Sequence, residues 1–245
     1  MKGEPKNNHV PIKIIEGVEL LETANAGIRR VKVSKPESKD DLPWDRFVRL
    51  KATADAVKEL VQSDSELLDV GGYDGALALF LPEYKFDLID PATTGASFLH
   101  EPAPDRSYDL VAAVDILEHI VPADRSETLK ELARIARKYV VLNYPCIESK
   151  QAQTLMLELT NNSLIKEHVQ WELPDSEWVV KSMESLGYQS TVTPHTNVAI
   201  WLGQYLALNA LERQSGALNR FLVENHSNEP FGTPLYHLVV CERIV

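Results

Sequence analysis

The sequence predicts an α/β fold, a doubly wound and mostly parallel sheet, from three observations. The apolar run Leu67-Leu68-Asp69-Val70 stops in Gly71-Gly72-Tyr73-Asp74-Gly75 and gives way to Ala76-Leu77-Ala78-Leu79-Phe80. That order reads as a buried central strand, a glycine turn whose backbone a ligand approaches closely, and the start of a helix. A second strand, Tyr84 to Ile89, ends in Asp90, about 20 residues past Asp69, the offset at which a carboxylate reaches a ribose hydroxyl. Further strands then alternate with helical patterns, which implies parallel pairing.

Composition narrows the function classes. The chain has 245 residues, 44% of them hydrophobic, enough for one domain with a substantial core. Its 25 basic and 36 acidic residues give a net charge of −11, which opposes a phosphate backbone, so no nucleic-acid partner is expected. The basic pairs Arg29-Arg30 and Arg137-Lys138 are too short for a phosphate groove. Cys146 and Cys241 lie far apart without metal-ligand spacing, so buried free thiols are expected, with no disulfide framework and no metal. MKGEPKNNHVPIKIIEG lacks an apolar signal core and no apolar run is long enough for a bilayer, so a cytoplasmic protein without membrane partners is expected.

Along the chain, residues 1–43 carry two β-prone runs, Pro11 to Ile15 and Ile28 to Val33, and a loop-like stretch from Ser34 to Asp41. They predict an N-terminal arm or hairpin outside a main domain over 44–245. From Trp44 to Gln62, Phe47, Val48, Leu50, Ala54, Val57, Leu60 and Val61 recur at helical spacing. Arg46 and Arg49 near its start read as solvated helix residues, with a carboxylate in the cleft as the alternative. After Asp90 the connection is too short for the usual crossover helix, yet Ala96 to Leu99 still resembles a short strand. Then come a strand at Tyr108 to Val114, a turn at Asp115 to His119, a helix from Ala123 to Arg137 and a strand at Tyr139 to Leu142. Helices follow around Gln153 to Thr160 and from Asp175 to Leu186, stopped by Gly187, and a strand at Gln189 to Val192. A helical insert over about 197–226, with Trp201, Leu202, Tyr205, Leu206, Leu208 and Leu211 in register, precedes the last strand, Tyr236 to Cys241. Core packing is the default for that stripe; capping a substrate cleft or facing a second copy in a homodimer are the alternatives.

LLDVGGYDG, FDLIDP and RSYDLVAAVDILEHI, in that order, resemble the first motif, the second strand with its ribose acid, and the fourth strand of class I S-adenosylmethionine-dependent methyltransferases. The closest likeness is to the small-molecule group called methyltransferase type 11, over roughly residues 45 to 195. KEHVQWELPDSEWVVKSMESLGYQ is similar to a segment in members often encoded beside surface-polysaccharide glycosyltransferases. The resemblance implies a mostly parallel seven-stranded Rossmann-like sheet, S-adenosyl-L-methionine as cofactor, and a small-molecule acceptor, by analogy a hydroxyl of a sugar or related metabolite. One departure is Tyr73, which stands where the family usually has the middle glycine of its first motif.

By the same resemblance Asp69 lies near the methionine amino group, and Gly71, Gly72, Tyr73 and Gly75 form the cofactor loop. Asp90 holds the ribose hydroxyls with Pro91 beside it, Leu99 belongs to the adenine pocket with His100 and Glu101, and Asp115 and Ile116 face the same pocket. Asp69, Asp90 and Asp115 each have an alternative reading as a cap or turn former. A hydroxyl acceptor needs its proton removed, for which His119 and His168 are the candidates, with His195 a third and structural histidines the alternative. His119 also reads as fixing the turn with Glu118. Asn143-Tyr144-Pro145 resembles the Asn-Pro-Pro-Tyr motif of nitrogen methyltransferases only superficially, since it follows the fifth strand and that motif follows the fourth, so methylation of amino groups gains no support. Two other functions fit less well: a binding or regulatory protein that keeps the cofactor without turnover, and a nicotinamide-dependent oxidoreductase, whose Gly-x-Gly-x-x-Gly spacing this chain lacks.

Overall fold

The computed structural model describes residues 14–97, 99, 103–210, 215–228 and 232–244. Its strands are β1 (Val18–Glu22), β2 (Arg29–Val33), β3 (Glu66–Val70), β4 (Lys85–Ile89), β5 (Tyr108–Val114), β6 (Ala136–Pro145), β7 (Tyr188–Asn197) and β8 (Pro234–Arg243). They form one sheet in the order β1-β2-β4-β3-β5-β6-β8-β7. β4, β3, β5 and β6 pair in parallel, as their apolar runs predict, and the remaining pairings are antiparallel.

The sheet has eight strands among the described residues, not the expected seven, because the N-terminal hairpin joins it. β2 pairs antiparallel with β4, Arg30 opposite Asp87 and Val31 opposite Phe86. In doubly wound sheets the place outside the second strand belongs to the third. Here residues 91–97 form a turn and irregular chain instead of the expected strand at Ala96 to Leu99, and β2 covers the edge. The arm is therefore part of the core, with Ile28 and Val31 buried. A polar clasp fixes it: Arg30 pairs with Asp87 and, at 3.3 Å, with Glu66, and the Tyr108 hydroxyl donates to Asp87 at 2.9 Å. The first strand lies at Val18–Glu22 and not at Pro11 to Ile15; Ile14 and Ile15 are irregular, and residues 11–13 lie outside those described.

α1 (Trp44–Leu60) packs Trp44, Phe47, Val48, Leu50, Ala54 and Val57 against the sheet. Asn143 of β6 pins it, donating to the Arg49 carbonyl and to the Thr53 hydroxyl, both at 3.0 Å. After β3 the expected helix is a single buried 3-10 segment, Ala76–Phe80, followed by Leu81 and then Pro82, which cannot continue it. The others are α2 (Arg125–Ile135), α3 (Lys150–Thr160), α4 (Ser163–Gln170), α5 (Ser176–Ser185), α6 (Val198–Ala210) and α7 (Ser215–His226). α4 is absent from the sequence reading although its cap is clear: the Asn162 side chain accepts from the N–H groups of Leu164 and Ile165. The insert is the α6–α7 pair. It is tied to α1 by Asn219, which accepts from the Trp44 N–H at 2.7 Å and donates to the Leu42 carbonyl at 2.8 Å. Leu211, counted in the helical register, and the side chain of Leu208 lie outside the described part. No described helix is long and apolar enough to cross a membrane.

Candidate cofactor and acceptor site

A cleft of about 460 Å³ opens at the carboxyl ends of β3, β4 and β5, walled by α1 and by Leu164 of α4. Of the residues singled out in the sequence, Asp69, Gly71, Gly72, Tyr73, Asp90, Asp115 and His119 line it. The loop after β3 is shaped by two glycines. Gly71 has φ +68°, its N–H donates to the Ile89 carbonyl at 2.7 Å, and a Cβ there would meet Ile116 Cδ1 at 2.7 Å. A Cβ on Gly72 would fall 2.0 Å from Asp69 Oδ2 and 2.6 Å from Leu88 Cδ1. The loop backbone thus lies directly on the Asp69 carboxylate.

Asp69 is 1% exposed and its Oδ1 has no hydrogen-bond partner among the described residues. Burial first, then the neighbouring charges of Asp90 and Asp74, raise its carboxyl well above the usual range, with Arg46 opposing. An orphaned buried carboxylate oxygen is costly alone and is satisfied by a ligand's cationic amino group. Asp90 does two jobs. Its Oδ1 accepts from the N–H groups of Ala92 (2.9 Å) and Thr93 (3.0 Å), turning the chain, while Oδ2 accepts from Tyr73 N–H at 3.2 Å at the cleft wall.

Tyr73 sits in the left-handed region, φ +50°, so the position where the related motif carries glycine needs glycine-like backbone here as well. Its carbonyl accepts from the Thr93 hydroxyl, and its side chain is half exposed. Tyr73→Gly is expected to raise stability by about 1 kcal/mol, the lower end of the cost of that conformation for an L-residue. Chemical denaturation checks this; a loss of stability would mean the phenol ring packs more firmly than its exposure indicates.

Four expected cofactor residues lie off the cleft. Gly75, φ +81°, packs beneath the hairpin, where a Cβ would stand 3.2 Å from Val18 Cγ1. Pro91 is exposed on the turn, Ile116 is buried behind Gly71, and Leu99 packs against the core on the other face of the sheet from α1. His100 and Glu101 lie outside the described residues.

The arginines of α1, read as solvated, are in the cleft instead. Arg46 makes a two-bond pair with the buried Asp74. Arg49 pairs with Asp115, lies 3.6 Å from Asp45 and donates to the Tyr236 hydroxyl at 3.2 Å. Burial alone would lower the Arg49 pKa; Asp115, Tyr236 and Asp45 together raise it, so the guanidinium stays charged. Asp115, φ +55°, keeps an unpartnered Oδ1, and burial raises its pKa against the pull of Arg49 and His119.

A second cavity, of about 120 Å³, shares Arg49, Asp115, His119 and Leu164 with the first. His168, Asn162, Trp201, Tyr205 and Tyr236 are among its other walls, so the insert contributes to it while Trp201 also belongs to the core. His119 Nδ1 is 2.7 Å from Glu167 Oε2, not paired with Glu118 as the turn reading had it. His168 lies inside α4. Its Nδ1 is 3.2 Å from Gln153 Oε1, and burial, then His119 and Arg49, push its pKa down to about 3, which leaves it neutral. His195 is not brought here. It lies within β7, bonded to Asn143 and Thr196, and lines a separate cavity. Both cysteines are buried free thiols.

No protein-family model matches the sequence, and no curated protein matches it. Solved structures do. A protein assigned as a methyltransferase of an antibiotic biosynthesis pathway in Anabaena variabilis superposes with TM-score 0.54 at 15% identity, over 84% of this chain and 100% of that one. A SAM-dependent methyltransferase from Thermotoga maritima gives 0.52 at 16% identity, over 82% and 95%. One from Archaeoglobus fulgidus gives 0.52 at 13% identity, over 79% and 93%. The chain has the class I methyltransferase fold. In that methyltransferase fold the loop after β3 and the acid after β4 stand together at one cleft, and the orphaned Asp69 oxygen and the space kept by Gly72 fit a bound nucleoside with a cationic amino group.

Proposed function

We propose that this protein transfers a methyl group from S-adenosylmethionine to a small molecule, with a hydroxyl of a sugar or related metabolite as the acceptor. The carrying observation is the meeting of two cavities, a larger one over the glycine loop and a small polar one beside it, which share Asp115 and His119. When bound, the cofactor supplies an electrophilic methyl on a sulfonium. The chain's residues then have separate tasks. Asp69 takes the amino group, Asp90 Oδ2 takes a ribose hydroxyl, and the cationic pair Arg46 and Arg49 favours the carboxylate of the methionine end. The second cavity holds the acceptor in line with the methyl and away from water, which supplies most of the acceleration in a direct displacement. A hydroxyl acceptor must lose a proton. His119, whose Nδ1–H is held by Glu167, presents Nε2 toward that cavity, and His168 stands beside it.

Asp90→Asn is expected to weaken S-adenosylmethionine binding by about 1.5–3 kcal/mol for each charge-assisted hydrogen bond lost, while keeping the turn that Oδ1 makes. Calorimetric titration of wild type and variant measures it. Release of S-adenosylhomocysteine in the presence of hydroxylated small molecules, above slow cofactor hydrolysis, tests transfer. Binding without transfer to any acceptor would favour a binding protein over an enzyme, and unchanged affinity in folded Asp90→Asn would remove the ribose assignment.

A further inference from the structure

The two histidines of the second cavity face each other in an unusual way. His119 Nδ1 is 2.7 Å from a carboxylate, which can only accept, so His119 donates from Nδ1, and in the neutral ring the Nε2 lone pair faces its neighbour. His168 Nδ1 is 3.2 Å from the Gln153 carbonyl oxygen, which places its proton on Nδ1 as well. The two Nε2 atoms are 3.4 Å apart. When both rings are neutral and both outer nitrogens donate, two lone pairs face each other across that gap, an arrangement that a cation between them satisfies. Directly beside them is Glu118, 0% exposed, with neither carboxylate oxygen partnered among the described residues. One ligand atom from each of Glu118, His119 and His168 lies within 4.8 Å of the others.

We infer that Glu118, His119 and His168 form a binding site for a divalent transition-metal ion, with zinc the best fit. Two imidazole nitrogens and a carboxylate make a three-ligand set that leaves a fourth position open. Nitrogens about 2.0–2.1 Å from a tetrahedral zinc stand about 3.3 Å apart, close to the separation seen here. The outer nitrogens already have the supporting acceptors that metal-bound histidines use, Glu167 for His119 and Gln153 for His168. An ion also gives the buried Glu118 carboxylate a bonded cationic partner, which Arg49 and Arg125 do not supply although both act on it electrostatically. Both histidines line the small cavity, so an oxygen donor such as a hydroxyl would take the open position; with the ion bound the His119 Nε2 lone pair is engaged, so His119 accepts a proton only in the metal-free protein. Only this last consequence rests on the methyl-transfer reading; metal binding itself does not.

The test is calorimetric titration of chelator-treated full-length protein with zinc, and with cobalt(II) followed by its visible absorption. Wild type, Glu118→Gln, His168→Gln, Glu167→Ala and Cys146→Ser are compared, with folding of each checked by circular dichroism. The last variant controls for the other compact group of metal-ligand types, Cys146, Glu148 and His237. One ion per chain is expected, bound normally by Cys146→Ser and roughly 10–100-fold more weakly by Glu167→Ala, as for loss of a supporting hydrogen bond. Glu118→Gln and His168→Gln should weaken it further still. No binding by folded wild type, binding that survives both ligand substitutions, or binding lost in Cys146→Ser would overturn the site. S-adenosylmethionine titrated into the same samples separates the two readings: metal without cofactor binding removes the transferase, and cofactor without metal binding removes this site.

Discussion

Gly72→Ala is expected to abolish measurable S-adenosylmethionine binding while leaving the fold in place. The added methyl would sit 2.0 Å from Asp69 Oδ2 and 2.6 Å from Leu88 Cδ1. Neither can retreat, since Asp69 is enclosed at the end of β3 and Leu88 is fully buried in β4. The loop must therefore lift off the carboxylate, carrying with it the backbone that faces the cleft and the Tyr73 N–H that holds Asp90. Overpacking of this kind costs about 1–3 kcal/mol in stability, which a domain of this size survives. Calorimetry should show no heat of binding, and denaturation a modest loss of stability. Wild-type affinity in Gly72→Ala would mean that the loop does not touch the cofactor.

Arg49→Met carries the largest expected loss of stability among single changes at the site. Arg49 is the cation for Asp115, and both side chains are largely enclosed, 17% and 23% exposed. Breaking a buried pair by removing one partner costs about 3–5 kcal/mol, because Asp115 then keeps only the weaker pull of His119 and Arg46. The sign with pH follows. Without Arg49 the Asp115 pKa, already raised by burial, rises further, so Asp115 binds a proton in the folded state before it does in the unfolded chain. Stability of the variant should then improve as pH falls toward the raised pKa, and the gap to wild type should narrow as pH is lowered from the neutral range. Denaturant unfolding across that range measures it; a gap of under 1 kcal/mol, flat with pH, would show that the pair contributes little.

The sheet centre was legible because its signals are local. Apolar runs ended by Gly71-Gly72, Asp90 and Asp115 mark β3, β4 and β5 without reference to anything distant. The edge was not, since β2 gains its place only by pairing with β4, and nothing near Ala96 reveals that the edge is already filled. The same holds within the site. Asp69, Gly71, Gly72 and Asp90 were readable from spacing, whereas Arg46 and Arg49 look like any exposed helix residues until Asp74 and Asp115 are folded against them. His119 and His168 were singled out as candidates for proton removal. Their pairing depends on α4, an eight-residue helix signalled only by its Asn162 cap. Gly75 shows the opposite case: its place in the first motif suggests a cofactor loop, but in the structure it packs under Val18.

The most direct measurement of the central claim is calorimetric titration of purified wild-type protein with S-adenosylmethionine, S-adenosylhomocysteine and NAD. Binding of both sulfur nucleosides at one site per chain, with none of NAD, is the expected result. Binding of NAD alone, or of none of the three by folded protein, would contradict it.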